Sequence, residues 1–300
     1  MKIPIIAIVG PTAVGKTEIS IEIAKKFNCE IISVDSVQMY KHFNIGSAKI
    51  THEEMQGVTH HLIDNLNPDD KFSVYEYQKI AREKILEVIK KGKIPLLIGG
   101  TGYYMSAVLY DYTFSNYSSN NKENFSLEYM KNYLLENYPD TYNNIDINNE
   151  RRVTNAYKYV TEENKSTIEN NNANNLYDNY NPYIIVLKQD REVLYNRINL
   201  RVEKMIQLGL IAEVKNIIAN YGGNLQPLTA IGYKEVVSYL NNEISEEYMI
   251  ESIQQNSRRY AKRQITWFKN KMFNTNWYNL DIDNKSKIFE DIEKYLRENE

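Results

Sequence analysis

Cysteine is all but missing from this chain: Cys29 stands alone among 300 residues. A single thiol excludes internal disulfides and a thiolate metal cage, which suits a reducing compartment. No histidine or other base is patterned beside Cys29, so it reads as a packing residue and not as a nucleophile. Long apolar runs are missing too, and no stretch reaches bilayer-spanning length. The first apolar segment, residues 5–9, passes directly into a glycine-containing turn without a secretory cleavage pattern. A cytoplasmic location without membrane contact is the expectation. An excess of positive charge is also lacking. With a net charge of −3, a nucleic acid would feel no global attraction and would depend on a local basic patch. Internal repeats are absent. The hydrophobic fraction of 42% and charged fraction of 25% mark an ordinary folded protein of one large or two modest domains.

What is present begins at residue 10. The run Gly10-Pro11-Thr12-Ala13-Val14-Gly15-Lys16-Thr17 matches the phosphate-binding pattern G-x-x-x-x-G-K-[ST] without a mismatch. It lies between strand-like residues 5–9 and the helical pattern of residues 18–27, the context in which that pattern works. Small residues let consecutive backbone N–H groups curl around a diphosphate or triphosphate, and the following helix adds the positive end of its dipole. Lys16 supplies a mobile charge, and the Thr17 hydroxyl is a candidate Mg²⁺ ligand. A chance match in a chain of this composition has odds of roughly one in two hundred. The chain is therefore read as phosphate-binding, and a nucleoside triphosphate fits the same loop whether or not it is turned over.

Composition shifts in the middle of the chain. Residues 111–190 hold 7 basic and 12 acidic side chains, whereas both flanks are nearly balanced. After Tyr112 the sequence turns rich in Asn, Tyr and Ser, and the Asn tract of residues 170–175 reads as a solvated loop. Helical spacing appears at Leu127, Met130, Tyr133 and Leu134, and again at Val153, Ala156, Tyr157 and Val160. The expected organisation is a catalytic core of residues 1–112 and 183–300, interrupted by a mainly α-helical insertion over 113–182. In the core, residues 5–9, 31–34, 94–98 and 183–187 are short apolar runs separated by helical patterns. The fold class expected is α/β, a P-loop NTPase-like parallel sheet with helices on both faces.

Ligands in such sheets bind beyond the carboxyl ends of the strands. The phosphate loop, Asp35-Ser36, and Gly99-Gly100-Thr101-Gly102 all fall there. Asp35 is a candidate base or Mg²⁺ organiser; the competing reading is a turn or capping residue. A hydrolytic motor would close an apolar strand with a carboxylate that holds Mg²⁺ and positions water. Here residues 94–98 end in glycine, residues 183–187 end in Lys188, and Asp64 is a weak substitute. That gap favours group transfer over ATP-driven motion. Adjacent His60 and His61 read as packing or capping residues, since neighbouring side chains point apart and no third ligand is patterned. Arg197 and Arg201 share a helical face with Lys204 near, and spacing leaves an arginine lid or a solvated face equally open. From Asn256 to Lys271 there is no acidic residue. Arg258, Arg259, Lys262, Arg263, Lys269 and Lys271 alternate there with Tyr260, Trp267 and Phe268, a pattern suited to an RNA backbone.

These motifs, in this order, resemble the tRNA dimethylallyltransferase (tRNA isopentenyltransferase) family, and the resemblance runs through nearly all of the chain. It rests on the phosphate loop; on Asp35-Ser36-Val37-Gln38-Met39-Tyr40 leading to Ile45-Gly46-Ser47-Ala48-Lys49; and on His60-His61-Leu62-Ile63-Asp64. It continues through Gly99-Gly100-Thr101-Gly102-Tyr103-Tyr104, Arg201, Ala230-Ile231-Gly232-Tyr233-Lys234-Glu235, and Tyr260-Ala261-Lys262-Arg263-Gln264 with Trp267-Phe268. The resemblance implies transfer of a five-carbon allyl group from dimethylallyl diphosphate, with Mg²⁺ as cofactor. The acceptor it implies is N6 of the adenine immediately 3′ of the anticodon in tRNAs reading codons that begin with U. That adenine must leave the stacked anticodon loop to react.

Residue by residue, the resemblance makes Asp35 the proton acceptor, puts Lys16 and Arg201 on the diphosphate, and has Thr101 contact tRNA and hold the aspartate. It implies tRNA contacts at Asp35, Ser36, Val37, Gln38 and Thr101, at Lys122, and at Glu150, Arg151, Arg152, Val153 and Thr154. Arg258, Arg259, Lys262 and Arg263 would serve the same partner. Ser47 departs from the family's threonine, and Asn155-Ala156-Tyr157-Lys158 departs from its Arg-Ala-Leu-Glu. A monomer is expected. Two alternatives share parts of this core. One is a free-adenylate isopentenyltransferase, against which the insertion and the basic–aromatic stretch weigh. The other is a P-loop small-molecule kinase in which Asp35 activates a hydroxyl.

Overall fold

Short apolar runs rich in Ile, Val and Leu alternate with longer periodic segments, and the backbone follows that alternation. The computed structural model describes residues 2–112, 125–163, 175–177, 179–280 and 285–299. Strand β1 (Ile3–Val9) leads through the phosphate loop into α1 (Lys16–Lys26) and β2 (Cys29–Val34). Then come α2 (His52–Met55), the two-residue β3 (His60–His61), α3 (Val74–Lys90), β4 (Ile94–Gly99) and α4 (Gly102–Leu109). Helices α5 (Leu127–Asn137), α6 (Pro139–Asn144) and α7 (Glu150–Glu163) follow before β5 (Tyr180–Lys188). After it run α8 (Arg191–Gln207), α9 (Leu210–Tyr221), a 3₁₀ turn (Gln226–Thr229) and α10 (Tyr233–Leu240). Last are α11 (Glu246–Lys271), β6 (Thr275–Asn279) and α12 (Lys285–Arg297).

The six strands form one parallel sheet in the order β3-β2-β4-β1-β5-β6. Ile5, Ile6, Ala7, Ile8 and Val9 are each 0% exposed. Both faces of the sheet are therefore covered, which is why the central strands read as continuous apolar runs and not as alternating ones. Ile6, Ile8, Leu96 and Ile185 share one core with Ile19 and Ile23 of α1, Leu194 of α8, and Ile288 of α12. The sequence reading found four strands. The structure adds β3 and β6 at the sheet's two edges, and neither carries an apolar run because edge strands are half-solvated and short. A second cluster joins Val202 of α8, Leu210 and Val214 of α9, Tyr233 and Val236 of α10, and Met249 of α11 around Tyr40 and Phe43.

The chain divides into two units: residues up to Leu109 together with those from Leu176, and Tyr110–Asn175. The second unit is helical where described. Ser126 caps α5 by accepting the Tyr129 N–H, and Leu134, Val153, Ala156 and Val160 pack its centre. Tyr157 meets Tyr133 and Phe125 edge-on, with ring centroids 5.1 and 5.6 Å apart. Lys122 and residues 170–174 of the Asn tract lie outside the described residues. Among the described residues no helix is long and apolar enough to cross a membrane.

Cys29 is buried, and burial pushes its thiol up to about 12, the inert packing role read from the sequence. Beside it, near the amino end of β2, Glu30 is only 3% exposed. Its carboxylate accepts from Lys91 at 2.8 Å and Lys93 at 2.9 Å, and lies 2.7 Å from His61 Nε2. Burial alone would raise this carboxyl; the three partners outweigh it and hold it down at about 2, from an ordinary 4.5. A carboxyl depressed on folding contributes stability that is full above about pH 4.5 and lost as pH falls toward 2. Glu30→Gln should lower the unfolding free energy at pH 7 by about 1–3 kcal/mol. It should also flatten the loss of stability between pH 4.5 and 2 in denaturant titrations. Identical acid slopes in the two proteins would rule this pairing out.

Candidate active site

Pairing register builds the site. Val9 of β1 and Val34 of β2 both pair with Gly99 of β4, so three connections leave the sheet at one level. They are the phosphate loop, the turn beginning at Asp35, and Gly99-Gly100-Thr101-Gly102. The connection from β1 runs to β2 on one side, whereas β4 leads to β5 on the other, and such a switch point opens a crevice for ligands.

In the phosphate loop, α1 begins at Lys16 with Gly15 as its N-cap (φ 102°) and no side-chain cap. Its first-turn N–H groups are thus left for a ligand, at the positive end of the helix. The Lys16 ammonium donates to the carbonyls of Gly10 at 2.9 Å and Pro11 at 2.8 Å. Gln264 of α11, 5% exposed, joins this loop to the one after β4. Its Oε1 accepts the Thr12 N–H at 2.9 Å, and its Nε2 donates to the Gly100 carbonyl at 2.8 Å. Residue 100 must be glycine, because a Cβ there would lie 2.3 Å from Gln264 Nε2. Tyr260, one turn earlier on α11, bonds to the side chains of Thr101 and Gln264. The sequence reading assigned Gln264 and Tyr260 no role at the site. Their i, i+4 spacing within the basic stretch is the one available signal.

Asp35 Oδ1 accepts the N–H groups of Val37 at 2.8 Å and Gln38 at 3.1 Å. The turn reading is therefore met by one oxygen, Oδ1, and it does not exclude a functional role for the other. Burial in the cleft raises the Asp35 carboxyl, opposed by those two amides and by the charges of Lys16 and Arg201. Burial lowers Lys16 to about 7, helped by Arg201 and opposed by Asp35. Arg201 donates to the Thr12 hydroxyl at 3.3 Å. Two cavities meet here. One of about 310 Å³ is lined by Lys16, Thr17, Ser33 and Gln38. The other, about 440 Å³, is lined by Ser36, Val37, Gly46, Thr101, Tyr233 and Arg263. Thr12, Asp35, Ser47, Arg201 and Tyr260 line both.

Other residues singled out from the sequence divide. Arg201 reaches the loop, while Arg197 and Lys204 on the same helix are exposed. Arg259, Lys262 and Arg263 are exposed on α11, but Arg258 is tied to Asn199 at 2.6 Å. Asp64 pairs with Lys49 at 2.5 Å. The Ser47 hydroxyl donates to the Phe43 carbonyl at 2.6 Å. In the helical unit Glu150 and Arg152 are exposed and Thr154 is half-buried. Val153 is 0% exposed, since its helical spacing turns its side chain into the unit's core. The side chain of Arg151 lies outside the described residues, as does Lys122.

The family model for IPP transferase matches residues 38–271, spanning most of both the core and the helical unit. This chain belongs to the IPP transferase family. The tRNA dimethylallyltransferase of Macrococcus caseolyticus is 45% identical over 278 residues, covering 90% of this chain and 89% of the relative. A crystal structure of tRNA delta(2)-isopentenylpyrophosphate transferase from Staphylococcus epidermidis is 40% identical, with a TM-score of 0.75 over 99% of this chain and 100% of that one. A eukaryotic dimethylallyltransferase caught acting on tRNA is 26% identical, with a TM-score of 0.77 over 92% of this chain and 74% of the other.

For a member of the IPP transferase family, the lowered Lys16 has a direct consequence. Burial and Arg201 bring the Lys16 ammonium down to about 7, whereas a diphosphate beside it would favour the ammonium form. Calorimetry in buffers of different ionisation enthalpy should show proton uptake on binding an alkyl diphosphate above pH 7, with affinity falling toward pH 9. Lys16→Met should bind more weakly and lose the uptake. Equal uptake in both proteins would place the titrating group elsewhere.

Proposed function

We propose that this chain transfers a dimethylallyl group from dimethylallyl diphosphate to the exocyclic N6 of an adenine in tRNA, releasing diphosphate. The observation that carries the proposal is that Asp35 and Arg201 line two adjoining cavities, one on the phosphate loop and one beside Thr101. The diphosphate belongs on the loop side. There the free N–H groups of α1, Lys16 and Arg201 stabilise the charge that grows as the allylic C–O bond breaks and its electron pair leaves with diphosphate. The adenine belongs on the Thr101 side, where its N6 forms the new bond to the allylic carbon. N6 is barely basic and must shed a proton as that bond forms; the Asp35 carboxylate takes it.

Mg²⁺ is the proposed cofactor. Thr17 brings a hydroxyl to the loop cavity, and hard oxygen of this kind fits an ion bound mainly by diphosphate oxygens and water. Once bound, it neutralises part of the leaving group's charge.

The acceptor proposed is the adenine immediately 3′ of the anticodon in tRNAs reading U-starting codons, extruded from its stack. Arg259, Lys262 and Arg263 suit the RNA backbone by charge and exposure. Glu150, Arg152 and Thr154, together with Arg151 and Lys122, are proposed to serve the same stem-loop from the helical insertion. The enzyme is proposed to work as a cytoplasmic monomer.

Labelled dimethylallyl diphosphate should mark an anticodon stem-loop, spare the same stem-loop with guanine at the target position, and spare AMP. Removing the charges of Arg259, Lys262 and Arg263 together should raise the KM for tRNA and flatten its salt dependence, which has a slope of about −0.7 per single-strand phosphate. Salt-independent transfer to AMP at the tRNA rate would sink the tRNA assignment. Asp35→Asn should lower kcat by about 10²–10⁴ with both substrates still bound. Lost donor binding with normal turnover at saturation would instead assign Asp35 to the donor.

A further inference from the structure

Glu213 of α9 lines neither of these cavities, yet four donors converge on its carboxylate. Oε2 accepts the backbone N–H of Asn44 at 3.0 Å and of Ile45 at 2.8 Å. Oε1 accepts the N–H of Gly46 at 3.2 Å and the Tyr233 hydroxyl at 2.9 Å. The Tyr233 oxygen in turn accepts the N–H of Ser47 at 3.1 Å. Four consecutive amides thus end on one carboxylate–phenol pair. This segment belongs to no strand or helix, so its backbone polar groups depend on such partners. An ionised carboxylate has about four acceptor positions, which this arrangement uses.

What the pair holds matters for the reaction. Gly46, Ser47 and Tyr233 line the second cavity beside Asp35, and Ser47 also lines the first. Tyr233 is 0% exposed, and its ring sits so close to residue 46 that a Cβ there would come within 2.6 Å of it. On its other side the segment reaches Asp35: the Ser47 carbonyl accepts from Gln38 Nε2 at 3.2 Å, and the Gln38 N–H bonds Asp35. The phosphate loop, by contrast, is tied to Gln264 and Arg201.

We infer that Glu213, acting with Tyr233, is a positioning residue for the acceptor: it sets the wall of Gly46 and Ser47 against which the acceptor base lies facing Asp35. This rests on reading the second cavity as the acceptor's. Glu213 touches no reacting atom, and its effect falls mainly on the acceptor side, since Gly46 and Tyr233 line the second cavity and not the first.

Glu213→Gln keeps the size of the side chain and turns an N–H₂ toward groups that are themselves donors. Amide exchange at residues 44–47 should speed up by about tenfold, the loss of roughly one net hydrogen bond. The KM for a stem-loop should rise about tenfold while the donor KM moves less than about twofold, a split that general loosening would not produce. Tyr233→Phe, which removes one hydroxyl and is the milder variant should the first not fold, should give the same split. The double variant should be no worse than the worse single one, since the two act as one unit. Donor and stem-loop KM rising together, no change in either, or additive effects would each overturn the inference. Failure of the unmodified enzyme to transfer to the stem-loop sinks the transferase reading alone. Unchanged exchange at 44–47 in Glu213→Gln sinks the positioning role alone.

Discussion

Parallel pairing of β2, β4 and β1 is the constraint on which the site depends. A parallel ladder sends each strand out of the sheet in the same direction, and the shared register of Val34, Gly99 and Val9 brings three loops out at one height. Asp35, Thr101 and the phosphate loop are distant in sequence and are brought together by that register. Gln264 then fixes two of the loops to each other from a helix near the end of the chain. A one-residue slip of β4 would move Gly100 away from its amide and take Thr101 with it.

Charge in a shielded cleft carries the proposed chemistry. Lys16, Arg201 and Asp35 are each pushed toward the neutral form by burial; Asp35 pulls both cations back and they pull it back, while Arg201 pushes Lys16 further. Lys16 donates to two carbonyls of its own loop, acceptors weaker than phosphate oxygens. In the proposed reaction a diphosphate would replace those carbonyls and relieve the repulsion between Lys16 and Arg201. Donors already placed for the leaving group cost little reorganisation during reaction.

Much of this was legible in the residues. The phosphate loop is a local backbone device, so its pattern survives in eight consecutive letters. Asp35 was legible as a carboxylate closing a buried strand, and His61 as a packing partner, here on Glu30. Gln264 and Glu213 were not legible in role, because their bonds span 252 and 168 residues of chain. Arg258 shows the same limit: it belongs to a stretch without an acidic residue, yet its Nη1 donates to Asn199 across 59 residues of chain. Val153 shows the converse, since the helical period that marks a core also runs through a stretch matched to RNA contact.

By itself, the sequence determined the elements and the chemistry that each could carry. Apolar runs without alternation require a sheet covered on both faces, a glycine–lysine loop before a helix suits an anion, and one cysteine leaves no covalent framework. Only the tertiary structure decided which of those groups share a cavity. Strand order, the level of Val9, Val34 and Gly99, and the aim of Gln264 and Glu213 arise from long-range packing and hydrogen bonds, and these leave no periodicity in the chain to be read.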